Sequence, residues 1–302
     1  MTFLSPSSPI AFLGPVGTYT ELAALLACPE HPHLHSQRSH PLVAYPTISA
    51  CLEAVAAGQQ QWAVVPVENS VEGGVSMTLD ALWQLEGLSI RQALILPIRH
   101  ALIGRAPQLA QIEQVYSHPQ ALAQCQVWLR SYLPQATLIP TRSTTEELER
   151  VQTQPTAAVI ASERAAALYN LPILACPIND HPDNCTRFWV IGRSQAGADL
   201  ASPGGSHTSL AFSLPENVPG ALLKPLQVFA EQGLNMSRIE SRPTKKSAGT
   251  YVFFVDLENA PTQPYLSPTV IASIERIAET FKLLGSYPVH DLSKQGGILL
   301  PN

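Results

Sequence analysis

Residues 9–193 of the 302-residue chain are predicted to fold as an α/β domain with mostly parallel strands, and residues 207–291 as a separate α+β unit. Three observations carry this expectation. From residue 10 to 193, short apolar runs alternate with stretches whose apolar residues recur at helical spacing, with short loops between them. Residues 194–206 (SQAGADLASPGGS) are then small, polar and glycine-bearing, which is linker composition. After the linker the order strand, helix, strand, strand, helix, strand fills residues 207–291, a ferredoxin-like order.

In chain order, Ile10–Leu13 is an apolar strand, and the loop from Gly14 to Thr20 feeds a helix over residues 21–27. Thr18 or Thr20 caps that helix, and Glu21 suits its first turn. Strand, glycine-bearing loop and capped helix form an anion cradle, because free N–H groups point outward. Neither the Gly-Lys-Ser/Thr ending of a phosphate loop nor GxGxxG is present, so the same residues also read as a plain tight turn. Residues 47–57 carry Ile48, Cys51, Leu52 and Val55 on one helical face and stop at Gly58. Residues 62–67 are a buried strand ending in Glu68, Asn69 and Ser70, before Gly73-Gly74 and a helix over 76–85. This is a second anion-facing corner. Glu68 and Glu72 read either as acid/base groups or as capping carboxylates, and Asn69 and Ser70 as donors.

Residues 88–98 and 100–103 are strand-like and mark the crossing into a second lobe. Residues 112–116 form a strand ending in Ser117, and a helix over 121–133 turns Gln124 toward the same cleft. His118 reads either as a general base or as a cap. Residues 136–140 are a strand, Ser143-Thr144-Thr145-Glu146 is a capping sequence before a helix over 147–151, residues 157–161 are a strand, and Ser162-Glu163 opens a helix over 164–169. A turn over 180–183 leads to Asn184, Cys185, Thr186 and Arg187, directly before the apolar strand 188–191. Thr and Arg at the mouth of a strand suit an anionic substrate: guanidinium forks onto a carboxylate, and a hydroxyl donates to a departing oxygen.

The second unit has strands at 208–214, 235–240 and 250–257, a basic turn over 243–248, and a last strand at 287–290. One helix runs from Gly220 to Gln232 and stops at Gly233. The other spans 271–284, with Ile271, Ile274, Ile277, Ala278 and Phe281 on one stripe. Such a sheet has one bare face and exposed edges and gains by pairing with a copy of itself.

Composition excludes several classes. Apolar residues make up 45% and charged residues 14%, which is globular. A net charge of −5 without a basic patch argues against nucleic acid as a partner. No apolar stretch approaches the roughly 20 residues of a membrane span, and the first ten residues lack a basic, apolar signal pattern. The five cysteines lack CxxC spacing, the cytoplasmic pattern of reduced thiols. His31, His33, His35 and His40, with Glu30, read as a metal site or as a solvated proline-rich loop, and the proline interruptions favour the loop.

The motifs GPVGTYTELAA (14–24), VPVENSVEGGVSMTLD (65–80), YSHPQALAQC (116–125), ASERAA (161–166) and DNCTRFWVIG (183–192) resemble the prephenate dehydratase family. PGALLKPLQVFAEQGLN (219–235), IESRP (239–243) and LGSYP (284–288) resemble its C-terminal ACT regulatory domain. Together they cover nearly the whole chain in the family's order. The resemblance implies a two-lobed periplasmic-binding-type (type II) fold with the site in its cleft. The implied reaction converts prephenate to phenylpyruvate with loss of carbon dioxide and water, a step toward phenylalanine, without metal or organic cofactor.

It implies Thr186 as the essential hydroxyl, with Glu68, Asn69, Ser117 and Gln124 on cleft positions. Thr18, Tyr19, Thr20, Ser70, Asn184, Arg187 and Phe188 are the expected substrate-binding residues, with Arg187 or the loop N–H groups at 17–20 on a carboxylate. The ACT domain implies phenylalanine at a dimer interface, held by Gly220, Ala221, Leu222 and Leu223 and by Asn235, Met236, Glu240 and Ser241, in a homodimer or homotetramer. The first motif begins near the start of the sequence, so a single activity is expected, without the chorismate mutase domain fused in some relatives. Two alternatives stand beside this reading: an arogenate dehydratase, and a non-catalytic small-ligand sensor, which would not need the Thr186 hydroxyl.

Overall fold

The computed structural model describes residues 9–27, 41–194, 205–245, 249–260 and 265–294. The expected histidine-rich loop at 31–40 and nearly all of the linker lie outside the described residues. The first lobe comprises β1 (Ile10–Leu13), α1 (Tyr19–Leu26), β2 (Leu42–Tyr45), α2 (Ile48–Ala56), β3 (Trp62–Asn69), the two-residue β4 (Gly73–Gly74), α3 (Ser76–Gln84) and β5 (Leu88–Pro97). The chain then crosses into a second lobe of β6 (His100–Gly104), β7 (Gln114–Ser117), α4 (Pro119–Ala123), α5 (Gln126–Tyr132), β8 (Thr137–Pro140), α6 (Leu148–Thr153), β9 (Ala157–Ser162), α7 (Glu163–Leu168) and β10 (Ile173–Ala175). It returns along β11 (Cys185–Arg193). The C-terminal unit is β12 (His207–Ser213), α8 (Leu223–Glu231), β13 (Asn235–Pro243), β14 (Tyr251–Glu258), α9 (Pro268–Ile277) and β15 (Thr280–Tyr287), followed by β16 (Val289–Asp291).

The three sheets run β16-β5-β11-β3-β1-β2, β10-β6-β9-β7-β8 and β13-β14-β12-β15, with β4 beside β3. The expectation of mostly parallel pairing is corrected. β11 runs antiparallel to both β3 and β5, and β6 antiparallel to β9 and β10. These are the strands by which the chain enters and leaves the second lobe, so they come into their sheets from the opposite end.

Local signals place most elements. Thr18 caps α1, Thr47 caps α2, and Ser162 caps α7 through its hydroxyl. Three expectations change. The helix expected over 121–133 breaks at Cys125, because Asp180 accepts the N–H groups of Val127 and Trp128 and caps α5 separately. The sequence Ser143–Glu146 does not cap α6: Glu146 instead accepts the backbone N–H and guanidinium of Arg142. The helix expected over 271–284 ends at Ile277, and Phe281 lies on β15, where the ladder to β12 overrides the helical spacing.

The bare face expected on the C-terminal sheet is covered by the first lobe of the same chain. Ala211, Val252, Phe254, Leu284 and Tyr287 join one core with Ile48, Leu52, Leu79, Leu82 and Trp189. The Tyr287 and Trp189 rings meet edge to face at 6.4 Å. The expected last strand at 287–290 also changes place, because β16 leaves the C-terminal sheet and pairs parallel with β5. The C-terminal unit is therefore tied to the first lobe by a core and by a strand.

Candidate active site

β3 and β11 lie side by side, with Thr186 opposite Asn69 and Arg187 opposite Glu68. Strand side chains alternate between faces, so the two cross-strand pairs point opposite ways. Asn69 and Thr186 are buried toward the second lobe, at 5% and 8% exposure. Glu68 and Arg187 turn to the C-terminal unit.

The hydrogen-bond directions in the first pair follow from backbone donors. The N–H groups of Val71 and Glu72 both donate to Asn69 Oδ1, each at 3.0 Å. The amide of Asn69 therefore points its Nδ2 at Thr186 Oγ1 (2.9 Å) and at Asn184 Oδ1 (2.8 Å). Thr186 is an acceptor toward Asn69, and no described residue takes its hydrogen. That hydrogen is left for a ligand in the cleft.

Asn184 Oδ1 is already an acceptor, so its Nδ2 donates to Gln124 Oε1 at 2.9 Å. Gln124, the C-terminal cap of α4 in the second lobe, turns its own Nε2 to Asn69 Oδ1 and Glu72 Oε1, both at 3.4 Å. Ser70 Oγ accepts the N–H of Cys185 at 3.0 Å and pins the two strand ends together. Asn69, Ser70, Gln124, Asn184 and Thr186 thus form one connected group between the lobes.

The other expected residues are placed differently. Ser117 Oγ donates to Ile160 O at 2.6 Å within the second lobe and does not join this group. His118 accepts the N–H of Gln120 at the start of α4, the capping alternative. Thr18 caps α1, and Tyr19 Oη donates to Arg99 O at 2.6 Å across the cleft. Thr20 is buried in the first turn of α1, where the N–H groups of Tyr19 and Thr20 have no intrahelical acceptor. Gly17 passes against Thr145 and Ala165 of the second lobe with φ +86°, and a Cβ there would sit 3.1 Å from Thr145, so the loop approaches the opposite lobe only as glycine.

Three expectations are corrected. Arg187 turns away from the cleft: its Nη1 donates to Asp256 of β14 at 2.7 Å. Phe188 is buried in the core with Ile10, Phe12 and Leu94. Glu68 faces Arg238 of β13 at 3.8 Å rather than the Asn69 side, and Glu72 is the carboxylate beside Gln124. For Arg187 and Glu68 the pleat and the packed C-terminal sheet decide the face, whereas Phe188 keeps the Thr186 face and is buried there by β1, β5 and α1.

Sequence reasoning passed over His100, whose Nε2 meets Gln124 Oε1 at 3.0 Å. It also passed over the buried pair of Arg164 with Glu21, at 2.9 and 3.2 Å, which joins α7 to α1 across the lobes. A lone histidine in an apolar strand, and an arginine inside an alanine-rich helix, were the available signals. The thiols of Cys51 and Cys125 are buried and pushed up to about 12, so they stay protonated.

A family model described as prephenate dehydratase matches residues 10–196, and one described as ACT domain matches residues 208–264. The chain belongs to the prephenate dehydratase family. It is 37% identical over 287 residues to the prephenate dehydratase of Lactococcus lactis subsp. cremoris, covering 94% of this chain and 99% of that one. The fold is similar to that of a prephenate dehydratase from Arthrobacter aurescens solved in complex with L-Phe, with TM-score 0.81, 35% identity and coverage of 97% and 93%. A structure described as GqqA, a novel type of quorum quenching acylase, is similar at TM-score 0.77 and 29% identity, covering 93% of this chain and 98% of that one. The fold alone therefore does not name the reaction, whereas membership of the prephenate dehydratase family, at 37% identity over 94% of the chain, does.

In the ACT domain, Gly220–Leu223 form the turn into α8, and Asn235 and Met236 start β13 at the other end of that helix. Asn235 borders an open pocket of ≈ 290 Å³ with Gly233, Glu258, Tyr265 and Ser267. Ser241 is exposed on β13. Glu240 is corrected: its carboxylate pairs with Arg238 and lies against Gly74, where a Cβ would collide with it.

Asp256 is the centre of this interdomain contact. It faces Arg187 and Arg238, and Ser209 Oγ donates to it. Asp256→Asn is expected to cost about 1.5–3 kcal/mol, because a charge-assisted bond is lost beside two guanidinium groups. Urea denaturation of the pure protein reads this, and an unchanged midpoint would contradict it.

Proposed function

We propose that this protein catalyses the decarboxylating dehydration of prephenate to phenylpyruvate, as a cytoplasmic enzyme whose ACT domain takes L-phenylalanine between two copies of the chain. The observation that carries the catalytic reading is the direction of the Asn69–Thr186 hydrogen bond, which makes Thr186 an acceptor there and leaves its hydroxyl hydrogen free to donate. In the reaction the bond from the ring to its carboxylate breaks and leaves as carbon dioxide. Its electron pair moves through the ring, the ring C–O bond breaks, and the departing oxygen takes a proton to leave as water. Thr186 donates a hydrogen bond to that oxygen as negative charge develops on it, and the Gln124 N–H group adds a second. A threonine hydroxyl is too weak an acid to be the net proton source, so the proton comes from Glu72 or from water. With Arg187 turned away, the N–H groups at the start of α1 hold a substrate carboxylate.

The effector reading has a geometric support. Gly220–Leu223 and Asn235 are separated by the nine-residue α8, which spans about 13 Å, so one copy cannot close both around one amino acid. Two copies, set with β13 edges together, can bring the turn of one chain to the strand start of the other.

The test is the rate of phenylpyruvate formation from prephenate, with arogenate and L-phenylalanine as further arms and sedimentation to follow assembly. Turnover of prephenate supports the reading. Turnover of arogenate alone keeps the chemistry and changes the substrate, and well-folded protein inert toward both leaves a cleft that only binds. Isothermal titration of L-phenylalanine is expected to show heat of binding, and a flat titration would remove the effector.

A further inference from the structure

His100 lies where the chain crosses from β5 into the second lobe, and it is 4% exposed. Its Nε2 is 3.0 Å from Gln124 Oε1, and its Nδ1 is buried with no hydrogen-bond partner. Which nitrogen carries the hydrogen follows from the chain of bonds already described, because that chain begins at backbone N–H groups whose direction is not in question. Val71 and Glu72 fix Asn69, Asn69 fixes Asn184, and Asn184 Nδ2 fixes Gln124 with its oxygen inward. Facing an oxygen that only accepts, His100 Nε2 must donate. Burial pushes the imidazole pKa down, with the Gln124 contact opposing it, so the ring is neutral and Nδ1 is bare.

We infer that His100 is a positioning residue for the reaction: its Nε2–H and Asn184 Nδ2 clamp Gln124 Oε1 from two sides, and this turns the Gln124 N–H group toward the substrate as a donor. The contacts of Gln124 Nε2 with Asn69 and Glu72 are long, both 3.4 Å, and are readily exchanged for a substrate oxygen. The contacts of Oε1 are 2.9 and 3.0 Å, so the oxygen side is the anchored one. The ring is held in turn by a T-shaped contact with Tyr19, with centroids 5.8 Å apart. His100 thereby couples the start of α1 in the first lobe to the helix end of the second.

The inference rests on the dehydratase reading, and two measurements separate their failures. The first is independent of turnover. Nitrogen-15 NMR of the histidine-labelled protein, with His100 assigned by its loss in the H100Q spectrum, is expected to show the Nε2–H tautomer. A hydrogen on Nδ1 overturns the inference whatever the enzyme does.

The second is kinetic, with wild-type turnover of prephenate as its reference. His100→Asn, whose amide reaches only to the Nδ1 position, is expected to lower kcat about 10–100-fold with KM changed less than about three-fold, as a donor is misplaced while the carboxylate sites stay intact. His100→Gln, whose Nε2 can replace the ring nitrogen, is expected to recover at least ten-fold of that loss. In a Gln124→Leu background the His100→Asn change is expected to have no further effect on kcat. Equal impairment of H100N and H100Q, or full additivity with Q124L, overturns the inference in favour of a purely structural ring.

Discussion

Thr186→Val is expected to lower kcat for prephenate about 10²–10³-fold, the cost of removing one preorganised donor from a developing oxyanion. Valine matches threonine in shape, so the change isolates the hydroxyl. It leaves no orphan on the partner side, because Asn69 Nδ2 keeps Asn184 Oδ1 at 2.8 Å and the carbonyl of Cys185 at 3.2 Å. The stability cost is therefore small, about 1 kcal/mol for one hydrogen bond. Steady-state kinetics with thermal unfolding in parallel reads both. KM should move little, since in the proposed function the carboxylate is assigned to the N–H groups at the start of α1 and not to Thr186. A folded Thr186→Val protein with kcat within three-fold of wild type would remove the hydroxyl from the chemistry.

Arg164→Met is expected to be the most damaging single change to the fold, at about 3–5 kcal/mol, because it strips a buried carboxylate of its cation. The side chains of Arg164 and Glu21 are 6% and 4% exposed, and the guanidinium forks onto both carboxylate oxygens. After the change Glu21 keeps the N–H of Gly17 as a donor, which does not neutralise it. Adding Glu21→Gln removes the stranded charge and should restore part of the loss, so the double-mutant cycle is expected to be strongly non-additive. The pair joins α1 to α7 across the cleft, and Ser162 Oγ bonds Gly17 O at 2.7 Å beside it. KM for the substrate is therefore expected to rise in any variant that still folds. A loss of less than 1 kcal/mol by chemical denaturation would show the pair to be dispensable.

Much of the site was legible because strand ends and caps are local. Asn69, Ser70, Asn184 and Thr186 follow or precede short apolar runs, and Thr18 and Ser162 stand at helix starts, so their neighbourhood could be read without the fold. Gln124 was legible too, though as part of one long helix, when Asp180 in fact divides that helix in two. His100 and Arg164 were not, because His100 is defined by Gln124 on a later element and Arg164 by Glu21 in the other lobe, and neither carries a spacing signal of its own.

The failures share a physical cause. Residues 278–284 keep a helical apolar spacing, yet the chain leaves α9 at Ile277 and enters β15 at Thr280, because β12 offers a ladder that local propensity cannot outweigh. Arg187 follows Thr186 directly and looked like a second anion holder. Alternation along β11 sends it to the opposite face, where Asp256 was waiting on a sheet distant in sequence. The same docking covers the sheet face that had been expected to need a second copy, and it recruits β16 into the first lobe.

The sequence by itself determined most of the alternation of strands and helices, the polar strand ends and the family motifs, since caps, alternation and turn residues act over a few positions. Only the tertiary structure decided which of two alternating faces meets the cleft and which meets the ACT domain. A pleat allows both, and the choice belongs to whatever packs against each side.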